Sequence, residues 1–182
     1  MVRVTGRYDI DAVRREWMGR KTEVVPGRYP VEYDSIRRHC HMVEDTNPLF
    51  LDPQYGKQSE WGSVIAPPVM TRYFAGSGVW PPSSDEGVSL LLQVPTRGER
   101  NINLNTEWEY IRPAKVGDHL SSQTEVIDIY EKSIKLDPRS VWIKTEMRIT
   151  NQDGELVAVG TNTLCTHRTP EQVESEEGER PL

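Results

Sequence analysis

Apolar residues recur with two different periods along this chain, helical in the first half and alternating in the second. Ile10, Val13 and Trp17 fall at helical spacing between an aspartate at the start and Gly19 at the end, which predicts a short amphipathic helix over Ile10 to Gly19. After a turn-rich VVPGRYP, a second helix is predicted from about Tyr33 to Val43. Ile36, Cys40 and Val43 share its apolar face, with Arg37 and Arg38 off it. The stretch DTNPLFLDPQYG reads as irregular chain, because the residue before each proline is pushed away from helical geometry. From Val64 to Ala75 the sequence VIAPPVMTRYFA is apolar on nearly every side. It predicts a helix with Pro67 and Pro68 in its first turn, Gly76 and Gly78 as its stop, and other structure wrapped around it.

The wrapping is predicted from the second half. Ile102, Leu104, Trp108 and Tyr110 alternate with polar residues, as do Val141, Ile143, Met147 and Ile149, which is the pattern of half-buried strands. Long strands are predicted near 101–112, 119–131, 140–150 and 155–167. Asp153-Gly154 marks a hairpin, and Asp137-Pro138 and Gly117-Asp118 mark other reversals. Long antiparallel strands that curl around one helix give an α+β architecture, a curved sheet around a long central apolar helix. One domain is expected over 1–169, with a helical N-terminal extension at about 8–43.

Composition narrows the function classes. The chain has 182 residues and a net charge of −6, so it lacks the broad positive field that nucleic-acid binding requires. Residues 170–182 hold five glutamates against one arginine and read as an acidic, disordered tail. No apolar run approaches the roughly 20 residues of a bilayer-spanning helix, and no leader is evident in MVRVTGRYDI, so a cytoplasmic protein with no membrane association is expected. Cys40 and Cys165 have no CxxC spacing and are expected to be unpaired.

The candidate chemistry lies in Val43 to Asp52, VEDTNPLFLD, and in Ile65-Ala66-Pro67-Pro68. These segments resemble the D-x-N-P-x-H loop and the I-A-H-G helix start of the MaoC-like hydratases and dehydratases, a family of hotdog fold. Asp45, Asn47 and Pro48 match the family pattern. Phe50 stands where the family has its catalytic histidine, and Pro67-Pro68 replace the His-Gly pair. The resemblance extends over EWEYIRPAKVGDHL and NQDGELVAVGTNTLCTHR, and is nearest to the degenerate, HadA-like N-terminal type.

Hydration of an enoyl thioester requires a water held between a carboxylate and an imidazole, and a donor on the thioester oxygen. Phe50 relays no proton, and proline has no N–H to offer. Asp45 is the matching carboxylate, though with the histidine gone an Asx turn in the Thr-Asn-Pro loop is the favoured account of it, and Asn47 would shape that loop. The resemblance implies a component of an (R)-specific enoyl-CoA hydratase or 3-hydroxyacyl-thioester dehydratase. It would bind the acyl chain of a CoA or carrier-protein thioester through Val64, Ile65, Ala66, Pro68, Tyr73 and Trp108, and pair with a complete hotdog subunit. The alternatives are a non-catalytic, acyl-thioester-binding homodimer, or a hotdog thioesterase using Asp45 or Glu44.

No cofactor or metal is expected. Gly76-Ser77-Gly78 lacks the rest of a dinucleotide fingerprint, and His39 and His41, two apart on a helix, point in different directions. His119 and His167 are isolated residues in predicted strands. Cys40, between His39 and His41, does not face either of them and makes a poor candidate nucleophile.

Overall fold

The computed structural model describes residues 8–76 and 90–178. Asp9 caps the first helix, α1 (Ile10–Trp17), its carboxylate accepting from the N–H groups of Asp11 and Ala12, and Val13 and Trp17 are buried. A two-residue strand, β1 (Val25–Pro26), follows. Helix α2 (Tyr33–Val43) buries Ile36 and Cys40 while Arg37 and Arg38 both pair with Asp34 on its outer side. It ends on Glu44, whose φ of 57° is the left-handed conformation that favours glycine. Glu44→Gly should therefore raise stability by about 0.5–1 kcal/mol, measured as an upward shift in the denaturant midpoint, since the strain relieved exceeds the added chain entropy.

The DTNPLFLDPQYG segment is not irregular, as the two prolines had suggested, but folds into α3 (Pro48–Leu51) and α4 (Pro53–Gln58). Asn47 and Asp52 are extended, as residues before proline should be, and each serves as a helix cap instead of a break. The Asn47 side chain accepts from Leu49 N–H, and Asp52 accepts from Gln54 and Tyr55 N–H.

The helix predicted over Val64 to Ala75 is likewise shorter, a 3₁₀ turn at Pro68–Met70 continuing into α5 (Thr71–Phe74). Val64 to Pro67 are extended and bond laterally. Ile65 N–H donates to Leu49 C=O, Ala66 N–H to Ala114 C=O, and Val64 C=O accepts from Val116 N–H. The cause is local, because each of the consecutive prolines forces its predecessor out of helical geometry. Nor is this segment wrapped on every side, for Val69 and Tyr73 are 65% and 66% exposed. The stop expected at Gly78 lies outside the described residues.

A short helix, α6 (Leu90–Gln93), leads to the edge strand β2 (Arg100–Tyr110), and then come β3 (Ser121–Ile134), β4 (Asp137–Thr150) and β5 (Leu156–His167). The sheet is antiparallel throughout, in the order β1-β3-β4-β5-β2. The β4–β5 hairpin turns at Asp153-Gly154 as expected. Gly154 has φ +76°, and the Asn151 side chain accepts from the N–H groups of Asp153 and Glu155. Asp137-Pro138 is not a reversal, however. The turn falls at Lys135-Leu136, and Asp137 opens β4 with its carboxylate buried against Arg168.

Strand β2 also departs from its predicted pattern. Asn103 pairs with Leu164 and Asn105 with Thr163, which leaves Leu104 as a bulge. Trp108 and Tyr110 therefore share the face of Gly160 and Ala158, whereas Ile102 stands on the opposite face with Cys165. Almost every residue of the strand is exposed, including Ile102, Leu104 and Tyr110.

Two apolar clusters form. One joins α2, α3 and the Val64–Phe74 segment to the end of the sheet, and the other packs α1 and α6 on Val126, Ile129, Val141 and Ile143. The segment expected to be a disordered tail is helical in its described part, α7 (Pro170–Gly178). A reciprocal cap explains it. Gln172 N–H donates to Thr169 Oγ1, and Thr169 N–H donates to Gln172 Oε1, while Pro170 takes the first helical position. This local signal prevails over the acidic composition.

Candidate functional site

Two loops and a strand end converge on the start of the Pro68–Phe74 helical segment. Tyr33 O–H donates to Leu51 C=O at 2.6 Å and ties the α3 region to α2, and the Ile65 bond to Leu49 fixes the other side. Between them opens a cleft of about 290 Å³ lined by Leu49, Phe50, Trp61, Ile65, Ala66, Pro68, Thr71 and the run Tyr110 to Pro113. Its walls are mainly hydrocarbon and aromatic, and Arg112 is the one charged residue among the described lining residues. Such a site holds an apolar ligand through burial and can orient it with few polar groups.

Asp45 does not line the cleft. Its carboxylate accepts from Asn47 N–H at 2.9 Å, closing an Asx turn, and Asn47 in turn caps α3. Phe50 is buried and presents a ring to the cleft where an imidazole would be needed for proton transfer. Pro68 is on the lining without an N–H, and the adjacent Ala66 N–H is taken by Ala114 C=O at 2.8 Å. None of the four histidines lines the cleft. His39 and His41 lie on α2. His119 is in the loop before β3 rather than in a strand, its backbone N–H donating to Gln152, and the His167 ring contacts Arg168 C=O. Burial first, then the nearby Asp45 carboxylate, pushes the Cys40 thiol above its usual range, which disfavours a thiolate nucleophile.

Of the residues singled out for substrate contact, Ile65, Ala66 and Pro68 meet in the cleft. Val64 is buried in the core behind it. Trp108 packs in the sheet. A Cβ added at Gly160 would lie 2.6 Å from its ring, which also stacks on Tyr110 at 6.3 Å between centroids. Tyr73 faces away, on a separate depression with Arg28, Tyr29 and Glu32. Sequence reading missed Trp61, Ile111 and Arg112. Trp61 precedes Gly62, at φ +67°, and a turn residue flanked by apolar chain was the signal available for it.

The family of FAS1-like dehydratase domain regions matches residues 16–159. The chain belongs to this family. The fold is that of the MaoC-like hotdog hydratases and dehydratases. A chain of the ChsH1–ChsH2 complex from Mycobacterium tuberculosis superposes with a TM-score of 0.68 at 19% identity, over 88% of this chain and 96% of that one. A UPF0336 protein of Thermobifida fusca is 29% identical over 118 residues, 65% of this chain and 73% of its own. A protein of Thermomonospora curvata named "probable enoyl-CoA hydratase alpha subunit" is 26% identical over 181 residues, 96% of this chain and 57% of its own. Among the described residues of this family member, no helix is long and apolar enough to cross a membrane.

Proposed function

We propose that this chain is the acyl-chain-binding, non-catalytic subunit of an (R)-specific enoyl-CoA hydratase or 3-hydroxyacyl-thioester dehydratase, working beside a catalytically complete hotdog partner. The observation that carries the proposal is the chemistry of the cleft. It offers an apolar chain a place to bury, yet its described lining contains no carboxylate or imidazole, and Pro68 takes the place of an N–H donor. In this reading Ile65, Ala66 and Pro68 contact the acyl chain, Val64 and Trp108 support the walls, and the partner supplies acid, base and oxyanion donor. Asp45 and Asn47 shape the loop.

A partner also accounts for surface that is unfavourable in a lone chain. The edge strand β2 leaves backbone groups unpaired along its outer side and exposes Ile102, Leu104 and Tyr110, with Ile111 exposed just beyond. The edge continues into the cleft through Tyr110 and Ile111, so a chain seated there would reach the site.

The test is to purify the chain alone and together with a co-encoded hotdog subunit that retains aspartate, histidine and glycine, and to follow loss of the enoyl absorbance of a short enoyl-CoA. Hydration by the mixture and none by this chain alone is the expected result. Robust hydration by the isolated chain refutes the proposal. Failure of the mixture as well would leave a binding homodimer, and thioester hydrolysis lost in Asp45→Asn would indicate a thioesterase.

A further inference from the structure

A separate cleft of about 190 Å³, bordered by Thr22, Val25, Arg72, Ala75, Thr124 and Met147, shares no described lining residue with the apolar one. Successive residues of α5 serve the two, Thr71 the apolar cleft and Arg72 this one. Its walls are mainly hydrocarbon and thioether, and none of its described lining residues is acidic. The Arg72 guanidinium has no carboxylate partner among the described residues. Its hydrogen bond there runs from Nη1 to Met147 Sδ at 3.1 Å, and a thioether is a weak acceptor. Glu125, next along β3 from Thr124, points to the opposite face of the sheet and is paired with Lys21 at 3.1 Å. Two hydroxyls add donors. Thr22 Oγ1 accepts from Thr124 N–H and keeps its own O–H to give, and the Thr124 hydroxyl has no partner among the described residues.

We infer that this cleft binds a small free carboxylic acid as its anion, with the carboxylate on the Arg72 guanidinium and a short hydrocarbon body over Val25, Ala75 and Met147. Two parallel N–H bonds of a guanidinium match the two oxygens of a carboxylate, which is a far better acceptor than the sulfur it displaces. A phosphate fits less well, because its remaining oxygens would be desolvated against apolar walls with no second cation among the described lining residues to receive them. An uncharged amide of the same shape forgoes the charge assistance. Through Arg72, beside Thr71, a bound acid would bear on the helical segment that borders the apolar cleft. The site stands independently of the proposed subunit role.

Titration of the full chain, isotope-labelled in its methionine methyl groups, with isovalerate tests this by magnetic resonance. The Met147 methyl signal, identified by its loss in Met147→Leu, should shift saturably. Isovaleramide and inorganic phosphate should bind more weakly than isovalerate. Arg72→Gln, an exposed substitution that leaves the core untouched, should weaken isovalerate about tenfold, corresponding to loss of one charge-assisted hydrogen bond, with the thermal midpoint unchanged. Val25→Glu, on the exposed edge strand β1, would place a carboxylate of the chain itself beside the guanidinium, and should weaken isovalerate while Arg72 is intact.

A Met147 signal that isovalerate does not move overturns the assignment. So does isovaleramide or phosphate binding as tightly as isovalerate, or undiminished affinity in Arg72→Gln and Val25→Glu. None of these outcomes bears on hydration by the mixed subunits, which reads the other cleft.

Discussion

Asp137→Ala is expected to lower the unfolding free energy by about 3–5 kcal/mol, read from denaturant titration, because it removes one member of a buried ion pair and the hydrogen bonds that its carboxylate accepts. The two side chains are 1% and 4% exposed. Arg168 donates from Nη2 to Oδ1 at 2.6 Å and from its backbone N–H to Oδ2 at 2.8 Å, and Arg139 N–H adds a bond to Oδ1 at 2.8 Å. The carboxylate thus clasps the start of β4 to the residue that follows β5. Asp137→Leu combined with Arg168→Met should recover much of the loss, since replacing a buried pair with apolar groups is often neutral, whereas removing one partner is not. A double substitution no more stable than Asp137→Ala would contradict this account.

The same pair sets a pH dependence. Burial pushes the Asp137 carboxyl upward, but the Arg168 side chain and backbone, followed by the Arg139 N–H, outweigh it and hold the carboxyl below its ordinary value. A carboxyl with a depressed folded-state pKa binds fewer protons in the folded chain than in the unfolded chain. Its contribution is therefore fully present above the ordinary aspartate range of about 4 and is lost as pH falls through the lower folded-state value. Unfolding measured across acidic pH should show this slope in the natural chain and a weaker one in the Leu-Met double variant.

Gly27→Ala should destabilise by about 3 kcal/mol, seen as a lower thermal midpoint, with release of the Val64–Phe74 segment that borders the cleft. A Cβ at this position would lie 2.1 Å from Phe74 O and 2.9 Å from Leu120 O. Both are backbone atoms, so no side-chain rotation relieves the overlap. The Gly27 N–H also donates to Leu120 C=O at 2.7 Å, and the loop cannot withdraw without losing that bond. An unchanged midpoint would mean that the loop relocates freely, contrary to the packing described.

The candidate site was legible in the sequence only in part. Phe50, Ile65, Ala66 and Pro68 could be chosen because a local motif sets them near one another, and all four line the cleft. The Tyr110–Pro113 run reaches it from a distant segment, and Trp61 from the turn just before Ile65, where no local pattern marks it as a wall residue. Tyr73 was assigned from the resemblance, as part of the helix predicted over Val64 to Ala75, but the helix begins later than predicted and the ring turns outward.

What the residues determined without the fold were local matters. The alternation of β4, the hairpin at Asp153-Gly154, and the chemical fact that a phenyl ring and two prolines cannot move protons or donate an N–H are properties of the residues themselves. Even the C-terminal helix was written locally in its Thr169–Gln172 cap, which composition obscured. Tertiary structure alone decided the rest. The Leu104 bulge separates Ile102 from Trp108, Asp137 meets Arg168 across 31 positions instead of turning the chain, and the cleft gathers its walls from three separate segments. Neighbours along the chain set the backbone's preferences, whereas the partner of a buried charge or the register of a strand is settled only when distant segments compete for the same space.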